Sequence, residues 1–217
     1  MKDNTATLLD EGKIHFSTEG RLLQELGERL VASADLAIIE LIKNAYDADS
    51  PICKVYYSGE DSLAVEDHGH GMTIDEFKTK WMTIATSSKQ EDRISRKYKW
   101  KLTGAKGIGR FAVRYMGRFL KLYSVAFDEQ RKAMTSLEAN FDWVNVDNIS
   151  TLEAFEIPYK LFRAADDEQP GTKLTISHLR NEIINKSKIK SEVLKIVSPL
   201  SGLERGKFET SMRLTWY

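Results

Sequence analysis

The stretch Ala34-Asp35-Leu36-Ala37-Ile38-Ile39-Glu40-Leu41-Ile42-Lys43-Asn44-Ala45-Tyr46-Asp47-Ala48 decides the fold of this 217-residue chain. Residues three or four apart share one face of a helix, so Glu40 and Asn44 stack one turn apart with Asp47 just below them. Burying two carboxylates and an amide on one helix is costly unless they have partners. A metal ion and a water molecule are natural partners. The alternative is that the three polar residues cap nearby backbone.

Apolar side chains cover the other sides of the same helix. Leu36, Ile39 and Ile42 project in different directions, which predicts apolar neighbours around them. Ser33 is predicted to cap the start of the helix. Pro51 is predicted to end it, because the residue before a proline disfavours helical angles.

Two glycine-bearing stretches follow the helix along the chain. The first is Val65-Glu66-Asp67-His68-Gly69-His70-Gly71-Met72-Thr73, which lies between a strand-like run and a helix. The second is Thr103-Gly104-Ala105-Lys106-Gly107-Ile108-Gly109-Arg110, which opens another helix. Each stretch has features of a nucleotide-binding turn.

The first stretch is suited to an adenine base. A carboxylate such as Asp67, at the end of a strand, accepts a hydrogen bond from the exocyclic amine of adenine, where guanine presents an acceptor. Gly69 and Gly71 permit positive φ angles and leave room for a flat ring, and Met72 can pack against it. The alternative is a simple Asp-Gly turn between a strand and a helix.

The second stretch is suited to phosphate. Gly104, Gly107 and Gly109 let the backbone approach phosphate oxygens, with Ile108 between them and a helix N-terminus behind. Lys106 adds positive charge. The spacing matches neither the P-loop nor the dinucleotide fingerprint. A plain helix-opening turn is the alternative.

In this order, the polar helix and the two glycine stretches resemble the sequence boxes of the GHKL ATPases. The resemblance covers roughly residues 14–180 and rests on Glu-x3-Asn-x2-Asp, then Asp-x-Gly-x-Gly-Met, then the glycine-rich turn. The superfamily includes gyrase B subunits, the ninety-kilodalton heat-shock chaperones, sensor histidine kinases and MutL mismatch-repair proteins. The Asn-Ala-Tyr-Asp-Ala-Asp segment is most similar to the microrchidia, heat-shock chaperone and MutL ATPases.

The resemblance implies an α/β two-layer sandwich, a mixed, mainly antiparallel sheet with helices on one face, known as the Bergerat-type ATP-binding fold. It implies ATP and Mg²⁺ as ligands, with Asn44 holding the metal and Glu40 activating water. Asp47 corresponds to a secondary position that orients the lid or the ribose side, with structural capping as the alternative. Thr172 matches a threonine that joins the adenine network through water.

The resemblance also frames the functional alternatives. The leading expectation is slow, Mg²⁺-dependent ATP hydrolysis used as a conformational and dimerisation switch. Sensor kinases typically have asparagine where this chain has Glu40, which disfavours a phosphotransferase. A nucleotide-binding interaction module without useful turnover is the third hypothesis. Nucleic acid or a client protein is compatible as a partner, and the sequence does not choose between them.

Composition sets the remaining bounds. Lys plus Arg and Asp plus Glu both number 32, so the net charge is zero and affinity for nucleic acid or membrane must be local. A single cysteine, Cys53, excludes an internal disulfide framework and fits a cytoplasmic location. We also expect no association with a membrane, because no apolar run reaches the ~18 residues of a membrane span.

The chain divides into three predicted parts: a flexible start over 1–13, the ATP-binding domain over 14–180 with a lid over 84–106, and a C-terminal helix and strand over 181–217. The last part ends in a strand-like segment, so we expect a further domain of the same polypeptide beyond it. The residues between 142 and 170 allow no assignment apart from a solvated turn at 166–169. The other predicted elements are a strand at 14–16, a helix from Ser17, a hairpin over 52–66, a short helix over 74–82, a helix over 107–116, a hairpin over 119–141, a strand over 173–177 and a helix over 181–197.

Overall fold

The structure is a computed structural model. It describes residues 7–15, 17–18, 34–57, 62–84, 94–99, 102–103, 113–143, 156–180, 187, 191 and 214–216. Among these residues, no helix is long and apolar enough to cross a bilayer.

Within the part of the chain that the structure describes, eight strands form one sheet, in the spatial order β1-β8-β7-β6-β9-β4-β3-β10. Every neighbouring pair is antiparallel except β10 on β3, which is parallel. Two short strands, β2 and β5, form a separate parallel pair. The strands are β1 Leu8–His15, β2 Ser17–Thr18, β3 Cys53–Tyr57, β4 Ser62–Asp67, β5 Thr83–Ile84, β6 Gly117–Asp128, β7 Ala133–Asp142, β8 Glu156–Arg163, β9 Gly171–Leu179 and β10 Leu214–Trp216.

The helices lie on one face of this sheet. They are α1 Ala34–Asp47, α2 Ile74–Glu76 with a π-helical turn Phe77–Trp81 directly after it, and α3 Val113–Met116. Thr73 and Glu76 form a capping box at the start of α2. α1 packs on β3, β4 and α3, and α3 packs on β6 and β9. The predicted two-layer architecture, a mixed and mainly antiparallel sheet with helices on one face, is confirmed.

The core lies between the two layers. Alternate strand residues such as Val65, Leu122 and Ile176 point into it and are 0–4% exposed. From the helix side, Ile38 and Leu41 meet them and are equally buried. α1 and the sheet therefore bury one common apolar core.

The opposite face of the sheet is charged. Its ion pairs include Lys173 with Glu66, at 3.1 Å, and Lys121 with Glu138, at 3.5 Å. A cross-strand row of this face alternates in charge around one tyrosine, in the order Lys54, Glu66, Lys173, Tyr123, Glu138, Lys160. Such a row is typical of a solvated surface.

The helix predicted from Ser17 is wrong at its start. Ser17–Thr18 is a strand, because its backbone pairs with Thr83–Ile84. The strand predicted at 14–16 is β1, and it begins earlier, so the expected flexible start over 1–13 is wrong from Leu8 onward. Pairing with β8 holds this polar segment, and Lys13 forms an ion pair with Glu156 at 2.6 Å.

Other predictions are confirmed in outline. Both hairpins are present as β3–β4 and β6–β7, and the helix ending before Gly117 is present as α3. The strand predicted over 173–177 is β9, and the strand-like end of the chain is β10. Of the helix predicted over 181–197, the structure describes only residues 187 and 191, and both are helical.

Candidate functional site

The central helix α1 carries three of the predicted site residues. Glu40 and Asn44 are half-buried on it, and Lys43 donates to Glu40 Oε1 at 2.6 Å. Ile39 and Ile42 are buried as predicted, but Leu36 is 47% exposed, so that part of the prediction is wrong. Leu36 lies in the first turn of the helix. The helix is therefore buried on most of its circumference, with polar groups at one edge.

The end of α1 binds the chain that follows the first glycine stretch. Asp47 accepts the backbone N–H and the hydroxyl of Thr103 through one oxygen, at 2.8 and 3.0 Å. Asp49, just after the helix, accepts the backbone N–H groups of Lys97 and Tyr98 at 2.7 and 2.9 Å. These hydrogen bonds, with one from the Ser95 side chain, hold the pKa of Asp49 below its usual value against the opposing effect of burial. Thr103 falls within the predicted lid 84–106, and the choice between orienting the lid and structural capping stays a prediction for Asp47.

Asp67 ends β4 and lies on the core side of the sheet. Its carboxylate accepts the backbone N–H of Gly69, at 2.8 Å, and that of Thr172. Desolvation by the surrounding protein nevertheless raises the pKa of Asp67 to about 7, and the negative charge of Glu66 acts in the same direction. A carboxylate that is desolvated and has only two backbone donors would be stabilised by a further hydrogen-bond donor from a ligand.

The glycines of the first stretch are required by the protein's own packing. Gly71 has φ +66°, and a Cβ there would collide with the carbonyl oxygen of Val125. A Cβ on Gly69 would collide with the carbonyl oxygen of Ala48. Gly71 has the predicted positive φ, whereas Gly69 does not. The space they leave at Cβ is filled by neighbouring backbone, and a contact with a flat base stays a prediction.

A buried serine joins the first glycine stretch to the late strand. Ser124 of β6 is 0% exposed, and its Oγ accepts the backbone N–H of Met72 at 2.9 Å. The same Oγ lies 3.1 Å from the carbonyl oxygen of Gly171 and 3.0 Å from Thr172 Oγ1. Met72 itself is half-buried against the core. Sequence reasoning identified Met72 and Thr172 but missed Ser124, because a single serine in an apolar strand has no local signature.

A second group of charges lies beside the same loop. Arg96 donates to Glu76, which also accepts Lys80 at 2.9 Å. These two cations lower the pKa of Glu76 to about 2 although burial opposes the shift. Burial lowers the pKa of His70, whose Nδ1 lies 2.6 Å from the Gly71 carbonyl oxygen. Segment 94–99 is thus attached to the domain at Asp49 and at Glu76.

The predicted phosphate-binding residues Gly104, Lys106, Gly107, Ile108 and Gly109 lie outside the described residues, as does most of the predicted lid. Within the described chain, no group of three or more His, Cys, Asp and Glu side chains is arranged to hold a metal ion. A Mg²⁺ site does not require such a group, because Mg²⁺ commonly takes one or two protein oxygens and completes its shell with phosphate and water. The Asn44 amide oxygen is a suitable ligand of this kind.

The sheet order, the central helix and the fixed Asp67 carboxylate are consistent with a nucleotide-binding domain of the ATPase family named next. Residues 32–172 match the family model described as "Histidine kinase-, DNA gyrase B-, and HSP90-like ATPase", and the chain belongs to this family. It is accordingly an ATP-binding domain. The resemblance inferred from the three motifs is confirmed.

The chain is also similar to a named protein of Herpetosiphon aurantiacus, "Putative type II restriction enzyme HgiDII". The two are 29% identical over 102 residues, which is 47% of this chain. The matched region is 16% of that protein's length.

Proposed function

We propose that the domain binds ATP with Mg²⁺ and hydrolyses it slowly, and that this cycle works as a conformational switch. The observation that carries the proposal is the placement of Asp67. Its carboxylate is desolvated and fixed at the end of β4 by the backbone N–H of Gly69, and Gly69 packs against the carbonyl oxygen of Ala48, directly after α1. Membership of the ATPase family supports the same assignment.

The adenine end of the site is assigned to Asp67 and Thr172. Backbone N–H groups of Gly69 and Thr172 already use part of the Asp67 carboxylate, and we assign its remaining acceptor capacity to a donor on the ligand. The exocyclic amine of adenine is such a donor, whereas guanine presents a carbonyl oxygen there. Gly71 and Met72 close the turn beside it.

Calorimetry with ADP and GDP tests this assignment. We expect a preference for ADP, and Asp67→Asn should weaken ADP binding strongly, because an amide is a weaker acceptor and presents a donor to the amine. Asp167→Asn, at an exposed turn, is the control. Equal affinity of the wild type for ADP and GDP would contradict the adenine pocket.

The phosphate end is assigned to α1. Asn44 would supply one amide oxygen to Mg²⁺, and the metal would shield the charge of the phosphates. Glu40 lies one helical turn away, and Lys43 holds its Oε1 at 2.6 Å. We assign Oε2 to the water that attacks the terminal phosphate, in the role of a general base.

Two substitutions separate binding from chemistry. Glu40→Gln should keep ATP affinity within a few-fold but lower phosphate release by ~100-fold or more, the usual scale for losing a general base. Asn44→Ala should damage both, because the metal joins protein and phosphates. Glu129→Gln, on an exposed turn, is the matched control. Wild-type turnover in Glu40→Gln would contradict the catalytic role, and label transfer from γ-labelled ATP to protein would favour the phosphotransferase.

The named relative supports a second, narrower proposal about output. That protein is named as a restriction enzyme, so we propose that the switch in this chain serves a protein that acts on DNA. Lys97 and Lys99 are exposed on the attached segment 94–99, where they can meet phosphates. Double-stranded DNA should raise ATP turnover several-fold, and Lys97→Glu with Lys99→Glu should abolish the increase. Stimulation that survives this double change would contradict the assignment to segment 94–99.

A further inference from the structure

Polar residues of three adjacent strands lie next to one another at the proposed adenine end of the site. Asp67 of β4 is in register with Thr172 of β9, and Thr172 is in register with Ser124 of β6. Thr172 therefore lies between a carboxylate and a hydroxyl. Ser124 is fully buried, so its hydrogen bonds are made entirely within the protein.

The contacts of Ser124 fix the direction of each hydrogen bond. A hydroxyl has one proton and two acceptor lone pairs. The N–H of Met72 can only donate, so it takes one lone pair of Ser124 Oγ, at 2.9 Å. The carbonyl oxygen of Gly171 can only accept, so it takes the Ser124 proton, at 3.1 Å. One lone pair remains for Thr172 Oγ1 at 3.0 Å, so Thr172 must be the donor in that contact.

We propose that Ser124 is a specificity-determining residue of the nucleotide site, because it turns the Thr172 hydroxyl into a pure acceptor towards the ligand. The inference rests on the proposed function and deepens it. The Thr172 proton is used by Ser124, so the lone pairs of Thr172 face away from Ser124. Ser124 does not touch the ligand and acts through Thr172, as a positioning residue.

The consequence is a site with two neighbouring acceptors. The Asp67 carboxylate and Thr172 Oγ1 both call for donors, and an exocyclic amine offers two N–H groups. A ligand with a carbonyl oxygen at the same position meets two acceptors and no donor, which leaves buried polar groups unpaired. A purine with a 6-amino group should thus be preferred to one with a 6-oxo group.

The test compares ADP with inosine diphosphate, which has the 6-oxo group. Binding is measured by calorimetry at pH 8, where Asp67, with its pKa raised to about 7, is ionised. The wild type should prefer ADP. Ser124→Ala frees the Thr172 proton to face the ligand, and the preference should fall about tenfold, the scale of one hydrogen bond.

Three further variants separate this role from a purely structural one. Ser124→Thr keeps the hydroxyl and should restore the preference. Ser136→Ala changes another serine that is 2% exposed, in the next strand β7, and should leave the preference unchanged. In a Thr172→Val background, Ser124→Ala should have no further effect on the ratio of affinities, because the group through which it acts is gone.

Each outcome bears on one of the two claims. A wild type that binds neither nucleotide removes the proposed function itself. A wild type that prefers ADP, with the same preference in Ser124→Ala, overturns the role of Ser124 and leaves the ATP site intact. Should the alanine variant fail to fold, Ser124→Cys keeps the volume with a poor hydrogen-bonding group and must show the same loss, or the inference is wrong. An effect of Ser124→Ala that persists in the Thr172→Val background also overturns it.

Discussion

Asp49 accepts the backbone N–H of Lys97 at 2.7 Å, although 48 positions separate the two residues. Asp49 is 4% exposed and has φ 59°, a left-handed conformation that non-glycine residues seldom adopt. Its second oxygen accepts the N–H of Tyr98. Because Arg96 also pairs with Glu76, part of the region predicted as a lid is attached to the body of the domain.

Removing the Asp49 carboxylate should release this attachment. In Asp49→Ala we expect amide exchange at Lys97 and Tyr98 to accelerate and the free energy of unfolding to fall by ~2 kcal/mol, because two partly buried N–H donors lose a charged acceptor. Exchange detected by mass spectrometry and urea unfolding measure the two effects. Asp167→Ala, at an exposed position, is the control. Unchanged exchange at Lys97 and Tyr98 would show that other contacts hold the segment.

Glu76 should contribute to stability above acidic pH. Arg96 and Lys80 lower its pKa from 4.5 to about 2, so the folded state favours the ionised form. The stabilisation is present above pH 4.5 and is lost as the pH falls towards 2, by at most ~3 kcal/mol. Urea unfolding between pH 7 and 3 should show a smaller loss of stability in Glu76→Gln than in the wild type. Parallel curves for the two proteins would contradict this role.

Local patterns predicted the parts of the fold that have local causes. The helix period of α1 and the alternation in β3, β4 and β6 are visible in the sequence. Strand β8, in the stretch 142–170 for which the sequence allows no assignment, alternates Ile157, Tyr159 and Leu161 towards the core. In the fold Pro158 lies beside β1, paired in register with Lys13.

The site was predictable only where it depends on short motifs. The roles proposed for Asp67 and Gly71 rest on the motif Asp-x-Gly-x-Gly-Met, which is visible in the sequence. The contacts of Ser124 and Asp49 join segments about 50 positions apart, and no residue near them in sequence indicates the partner. The partners of such residues are set by the tertiary fold, and local secondary-structure propensity does not reveal them.

Nucleotide affinity should depend on pH near neutrality. Asp67 has a pKa raised to about 7, and its ionised form accepts a hydrogen bond from the adenine amine much more strongly than the protonated acid does. Lowering the pH protonates the free site, so the Kd for ADP should rise about twofold at pH 7 and about tenfold at pH 6, relative to pH 9. Calorimetry in buffers of different ionisation enthalpy should also detect proton release on binding at pH 6. A Kd constant from pH 9 to 6 would mean that Asp67 is ionised throughout.

Two glycine substitutions should differ sharply in cost. Gly71→Ala places a Cβ at φ +66° against the carbonyl oxygen of Val125, so the backbone must move. We expect the free energy of unfolding to fall by ~3 kcal/mol or more. Gly12→Ala is the matched control, since its Cβ would lie 3.4 Å from Tyr159 Oη, an ordinary contact. Thermal unfolding of both variants measures the difference. Equal melting temperatures would mean that the turn at Gly71 is easily rearranged.

The last prediction concerns the switch itself. The predicted lid, 84–106, starts at β5, and β5 pairs with β2 in the segment 14–30 that the family resemblance identifies as a dimerising surface. A γ-phosphate can make charge-assisted contacts to Lys106 and neighbouring N–H groups that ADP lacks. We therefore expect ATP to favour the closed arrangement more than ADP does, and to change the backbone pairing at 17–18 together with the lid.

The measurement combines hydrogen exchange with sedimentation, in ADP and in a non-hydrolysable ATP analogue. With the analogue, amides across 86–103 should gain protection from exchange. Amides at 17–18 and 83–84 should change in parallel, because β2 and β5 share hydrogen bonds. Sedimentation should show a weak dimer. Glu40→Gln with ATP should reproduce the analogue, since binding is kept and turnover is lost. Glu129→Gln with ATP should return to the ADP pattern as the nucleotide is consumed. Identical protection in ADP and in the analogue would contradict a switch and leave a static nucleotide site, whereas a change confined to 86–103 would contradict only the coupling through β2.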